Sequence, residues 1–100
     1  MPKAMISQPM GNKTDAEILA ESDAAKQSLE SLGYEIVDTF FQEEFGTGNK
    51  HRPLYFLAKS LMIMSECDAV YFVKGWNSRR GCKIEHDICM EYGLKAIYQE

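Results

Sequence analysis

From Gly75 to Asp87 the chain reads GWNSRRGCKIEHD, its densest run of side chains that can do chemistry. Glu85 stands four residues after Gly81, inside an apolar pattern that predicts a helix over residues 82–92. In the first turn or so of that helix the positive dipole end favours a carboxylate, so Glu85 is expected to stay ionised at neutral pH. Such a group can attack a sugar carbon or accept hydrogen bonds from ribose hydroxyls. Acidic residues also occupy first turns for stability alone, and spacing does not separate the two readings.

Around Glu85 the neighbouring types suit an anionic ligand. Gly81 before the helix lets backbone N–H groups approach an anion closely, or simply makes a turn. Arg79 and Arg80 can clamp a phosphate in bidentate fashion, or only solubilise a loop. Trp76, flanked by Gly75 and Asn77, can stack on a base; equally, it can fold back over the core edge. At the end of the first strand, Ser7, Gln8, Pro9, Met10 and Asn12 form a loop with hydrogen-bonding groups, or an ordinary turn. Cys82, His86 and Cys89 share one helical face, but a fourth ligand is missing, so no metal and no cofactor are expected.

Positioning these groups requires a frame. KAMIS (3–7) predicts a buried strand, and QPMGNK a loop. Thr14 with Glu17 forms a capping box opening a helix whose stripe is Ile18, Leu19, Ala25, Leu29 and Leu32, with Gly33 to end it. YEIVDTF (34–40) reads as a strand, and the stretch with Gly46 and Gly48 as a long loop on the same rim as the other two. Pro53 opens a second helix, AVYFV (69–73) is a strand buried on both faces, and KAIYQ (95–99) is the last strand. The order β-α-β-α-β-α-β predicts an α/β fold. It is a small, doubly wound, three-layer sandwich on a four-stranded parallel sheet, flavodoxin- or Rossmann-like. Ligands in such sheets bind beyond the carboxyl ends of the strands, where strand order reverses.

One hundred residues, 45% hydrophobic and 26% charged, suit one domain spanning 1–100. A net charge of -4 argues against a nucleic-acid polymer as partner. No apolar run is long enough for a membrane span, and three cysteines without paired spacing fit reduced thiols, so a cytoplasmic protein without a disulfide is expected. Tyr55, Phe56, Met62 and Met64 are available for an oligomer contact.

Three segments, KAMISQPM, LAKSLMIMSECDAVYFVKGW and RRGCKIEHDICMEYGLKAIY, together resemble a small bacterial and phage family of unknown function, DUF4406-like and related to the nucleoside 2-deoxyribosyltransferases. The resemblance spans nearly the whole chain. It implies that Glu85 is the nucleophile that attacks the anomeric carbon of a nucleoside or nucleotide and releases the base. The related enzymes carry an aspartate six residues before that glutamate, where this chain has Arg79. They carry a further acidic residue near the position of Ser60, and a glycine pair where Ser7-Gln8-Pro9-Met10 stands. Asp68, at the opposite end of its strand, reads as a structural cap.

The resemblance therefore implies an N-glycosidase or deoxyribosyltransferase. The missing acids support an alternative, a protein that binds a nucleotide or an ADP-ribose-type ligand without turning it over. The related enzymes are oligomers whose neighbours complete each pocket, which implies a homo-oligomer here.

Overall fold

A computed structural model of the chain describes residues 1–37 and 50–100. Its elements are β1 (Lys3–Ser7), α1 (Asp15–Ser31), β2 (Glu35–Ile36), α2 (Arg52–Met64), β3 (Ala69–Phe72), α3 (Arg80–Glu91) and β4 (Lys95–Tyr98), with a 3-10 turn at Trp76–Ser78. The expected strand 34–40 is described as far as Val37, whose N–H donates to Ala4 O at 2.8 Å. Its remainder and the loop containing Gly46 and Gly48 lie outside the described residues.

All pairings are parallel and the strand order is β2-β1-β3-β4. The chain moves to one side from β1 to β2 and to the other side thereafter, so right-handed crossovers put α1 on one face and α2 with α3 on the other. Side-chain alternation along the strands agrees. Ala4, Ile6, Ala69, Tyr71 and Val73 pack with Ala25 and Leu29 of α1. Met5, Val70 and Phe72 pack with Met64 of α2 and Cys89 of α3. The doubly wound three-layer sandwich expected from the sequence is the observed fold.

Local chemistry fixes the helix ends. Glu17 N–H donates to Thr14 Oγ1 at 3.2 Å, which caps the start of α1, while the Glu17 carboxylate accepts from Thr14 Oγ1 in place of the backbone N–H that a full capping box would use. At the far end, Tyr34 N–H returns to Leu29 O and Gly33 N–H to Glu30 O; Gly33 takes φ 89° to allow it. Gly93, with φ 73°, ends α3 in the same way. The apolar stripe of α1 is narrower than its sequence suggests: Ala25 and Leu29 are buried, whereas Leu19 and Leu32 are 59% and 60% exposed. Ala25 and Leu29, four residues apart, meet the sheet squarely, and the other two leucines have rotated off that line.

Opposite the rim of interest, Asp68 ties the strand starts together. Its Oδ2 accepts from Lys3 N–H at 2.8 Å, its own N–H donates to Lys3 O at 2.7 Å, and its carbonyl accepts from Lys95 N–H at 3.1 Å. This is the capping role read from its position. Met64 is 3% exposed in the core, so it is not available for the oligomer contact expected of it. Among the described residues no helix is long and apolar enough to cross a membrane.

Candidate functional site

Strand order reverses between β1 and β3, and a cleft of about 790 Å³ opens beside their carboxyl ends. The loop after β1 forms one wall through Gln8, Pro9, Met10 and Gly11. The start of α3 forms another through Arg79, Arg80, Gly81, Cys82 and Glu85. Helix α2 closes the third side with Arg52, Pro53, Phe56, Leu57 and Ser60.

Glu85 is the floor of this cleft. It belongs to the second turn of α3, because the helix starts at Arg80, two residues earlier than its sequence pattern predicts. Its side chain is only 8% exposed. Ser7 Oγ donates to Glu85 Oε1 at 2.9 Å, and Oε2 has no hydrogen-bond partner among the described residues.

Burial pushes the Glu85 carboxyl up to about 7, against an opposing pull from the Ser7 hydrogen bond. The carboxyl expected to be fully ionised at neutral pH is therefore only partly so: two residues deeper into α3 than expected the dipole is weaker and desolvation dominates. Burial likewise raises the Cys82 thiol, with the Ser7 hydrogen bond pulling it back.

Arg79 crosses the cleft mouth. Its Nη2 donates to Gly11 O at 2.9 Å. The guanidinium lies so close that a Cβ on residue 11 would stand 2.6 Å from Nη1 and 2.7 Å from Cζ. Gly11 thus sits close against the guanidinium, and the β1–α1 loop is clasped to the start of α3. Gln8 pins the same loop from the other side, donating Nε2 to Ile18 O at 2.7 Å.

The structure brings together most residues singled out from sequence. Gln8, Pro9, Met10, Arg79, Arg80 and Gly81 line the cleft beside Glu85, and Ser7 lies beneath it. Asn12, Gly75, Trp76 and Asn77 are not among the lining residues. Asn12 turns the loop at φ 62°, a left-handed conformation that asparagine tolerates. The 3-10 turn rolls Trp76 back over the sheet, where its ring stacks on His86 with centroids 4.2 Å apart and leans on Phe72 at 5.3 Å. His86 in turn meets Tyr98 Oη at 2.6 Å.

Cys82, His86 and Cys89 do not converge. Cys82 borders the cleft, His86 joins the aromatic cluster, and Cys89 packs in the core with its thiol toward Leu94 O. Among the described residues no three His, Cys, Asp or Glu side chains group together, and the three cysteines are free thiols.

Sequence reasoning missed Arg52, Phe56 and Leu57. The signal for Arg52 was there: it opens the helix following β2, and the same rule that selected the other two loops puts that helix start on the same rim. Ser60 does face the cleft, and it brings a hydroxyl there.

Fold and cleft together define a doubly wound α/β domain with a cleft at its topological switch point. A family model described as "Domain of unknown function (DUF4406)" matches residues 3–98, and the chain belongs to that family. No curated protein and no solved structure shows a significant match to it.

Proposed function

We propose that this cleft holds a nucleoside or nucleotide and that Glu85 is the nucleophile of an N-glycosidase or deoxyribosyltransferase-like reaction. The supporting observation is Glu85 itself: a nearly buried carboxyl, oriented through Oε1 by Ser7, with Oε2 left for a ligand on the cleft floor. Oε2 of the ionised form attacks the anomeric carbon. The C–N bond to the base breaks with its electron pair leaving on the base nitrogen, which takes a proton from solvent. Water, or a second base, then displaces Glu85 from the sugar. Proton donation by a positioned acid is worth about a hundredfold to ten-thousandfold. Glu85 carries the only carboxyl among the described lining residues, so turnover is expected to be slow.

A second reading rests on Arg79. Clasped to Gly11 O at the cleft mouth, it closes the loop over a ligand and donates no proton, which suits retention of a nucleotide or ADP-ribose-type ligand without cleavage. Incubation with a panel of nucleosides and nucleotides separates the two. Free base released by the parent and not by Glu85→Ala supports catalysis; tight binding with the ligand recovered intact supports retention. No release of base and no binding of any of these ligands would refute a nucleoside role.

The same reading takes the protein as cytoplasmic and as a homo-oligomer. Leu54 and Met62, 61% and 72% exposed on α2, are the apolar side chains such a contact would cover. Light scattering that gives a single-chain mass at micromolar concentration would refute the oligomer.

A further inference from the structure

We infer that the ligand carries a phosphate monoester, held at the cleft mouth by Arg52 from α2 together with Arg80 from α3 and Arg79 just before it, so that the ligand is a nucleoside monophosphate and not a free nucleoside. The inference rests on the nucleoside reading above for the rest of the ligand, and on four observations for the phosphate.

The first is charge placement. A protein of net charge -4 gathers three guanidinium groups from two separate elements around one cleft. Among the described residues no carboxylate pairs with any of them. Arg79 spends one N–H on Gly11 O, and Arg52 lies over the Phe56 ring at 5.5 Å, which leaves most of their donors for a ligand.

The second is a broken stability rule. Helix N-termini favour acidic residues and a capping side chain. Helix α1 follows that rule with Thr14, Asp15 and Glu17. Helices α2 and α3, whose starts line the cleft, have no side-chain cap and no acidic residue in the first turn, and carry Arg52, Arg79 and Arg80 there instead. Cations at two positive helix ends repel what they sit on. An anion between them resolves the repulsion, and its oxygens accept from the uncapped N–H groups.

The third is Gly81. It lines the cleft within α3, its φ is not positive, and a Cβ there would meet nothing within 4 Å. Neither backbone nor packing demands glycine at a helical position where glycine is unfavourable. Open space over the bare α-carbon admits a ligand oxygen to the helix start.

The fourth is Glu85, which is buried, lines the cleft and has no partner for Oε2 among the described residues, leaving that oxygen to a ligand.

Calorimetric titration of parent, Arg52→Ala and Arg52→Gln tests this, using deoxynucleoside monophosphates, the matching nucleosides and inorganic phosphate as probes. Melting curves confirm that both variants fold. Monophosphates are expected to bind at least about tenfold more tightly than nucleosides, and both variants to lose about tenfold on monophosphates while nucleoside affinity holds. Equal affinity for nucleosides and monophosphates, or a preference unchanged in both variants, overturns the phosphate site while leaving the nucleoside reading intact. If nucleosides and monophosphates both fail to bind, phosphate binding that depends on Arg52 upholds the anion site and refutes the nucleoside reading. Its absence refutes both.

Discussion

Ser7 and Glu85, 78 residues apart in sequence, share a buried 2.9 Å hydrogen bond that joins the end of β1 to the second turn of α3. The bond passes between adjacent layers at the switch point of the sheet. It orients one carboxyl oxygen and leaves the other to the cleft, so the site and the seam between layers are the same structure.

Replacing Ser7 by Ala removes the one hydrogen bond among the described residues that favours the charged carboxyl. The Glu85 pKa should then rise above about 7. Any base-releasing activity, which needs the ionised form, should shift its rising limb to higher pH. Stability at pH 8 should fall by about 1–3 kcal/mol, measured by urea unfolding.

Glu85→Gln should make the protein more stable at pH 8 than the parent, and the gain should vanish in acid. The folded carboxyl holds its proton up to about 7, against 4.5 for the ordinary group. Between those values the unfolded chain has already released the proton, so parent stability falls as pH rises, by roughly 3 kcal/mol in total. Unfolding free energies of parent and variant should converge below pH 4.5 and separate fully above pH 7. Parallel curves across that window would contradict the buried-carboxyl account.

Gly11→Ala sets a methyl group against the Arg79 guanidinium, the flexible end of a long side chain. Arg79 should swing away at a cost within roughly 1 kcal/mol. The lasting effect should be on the clasp: hydrogen exchange at Met10 to Lys13 should speed up, and ligand affinity should drop as it does in Arg79→Ala.

Gly81→Ala should stabilise the fold by about 0.5–1 kcal/mol, because alanine is the better helix residue and the space is open. Binding of monophosphates should weaken in the same variant. A gain in melting temperature without a loss in binding would place Gly81 outside the site.

Leu29→Ala should cost about 2–5 kcal/mol, since Leu29 is fully buried against β1 and β3. Leu32→Ala, three residues on and 60% exposed, should stay within about 0.5 kcal/mol of the parent. Thermal denaturation of the pair measures how narrow the buried stripe of α1 is.

The sequence alone determined the element order, and with it the parallel sheet. Thr14 and Glu17 mark the start of α1, Gly33 and Gly93 mark helix ends, and the apolar run of β3 marks a central strand. These are local signals, because caps, left-handed turns and side-chain alternation act over a few residues. The rule for switch points then carried the loop after β1 and the start of α3 to one rim, and Glu85 with them.

Tertiary structure alone decided what those residues face. Trp76 and Asn77 precede Arg79 closely in the chain, yet a single 3-10 turn sends the indole to His86 and Phe72 while the guanidinium crosses to Gly11. Arg52, far from that run in sequence, enters the cleft only because α2 and α3 pack on one face of the sheet. The protonation of Glu85 was decided there too. From sequence it stood beside a helix start that favours its charge; in the fold it is bonded to Ser7 on the cleft floor and nearly buried, and the desolvation that raises its pKa comes from neighbours distant in sequence.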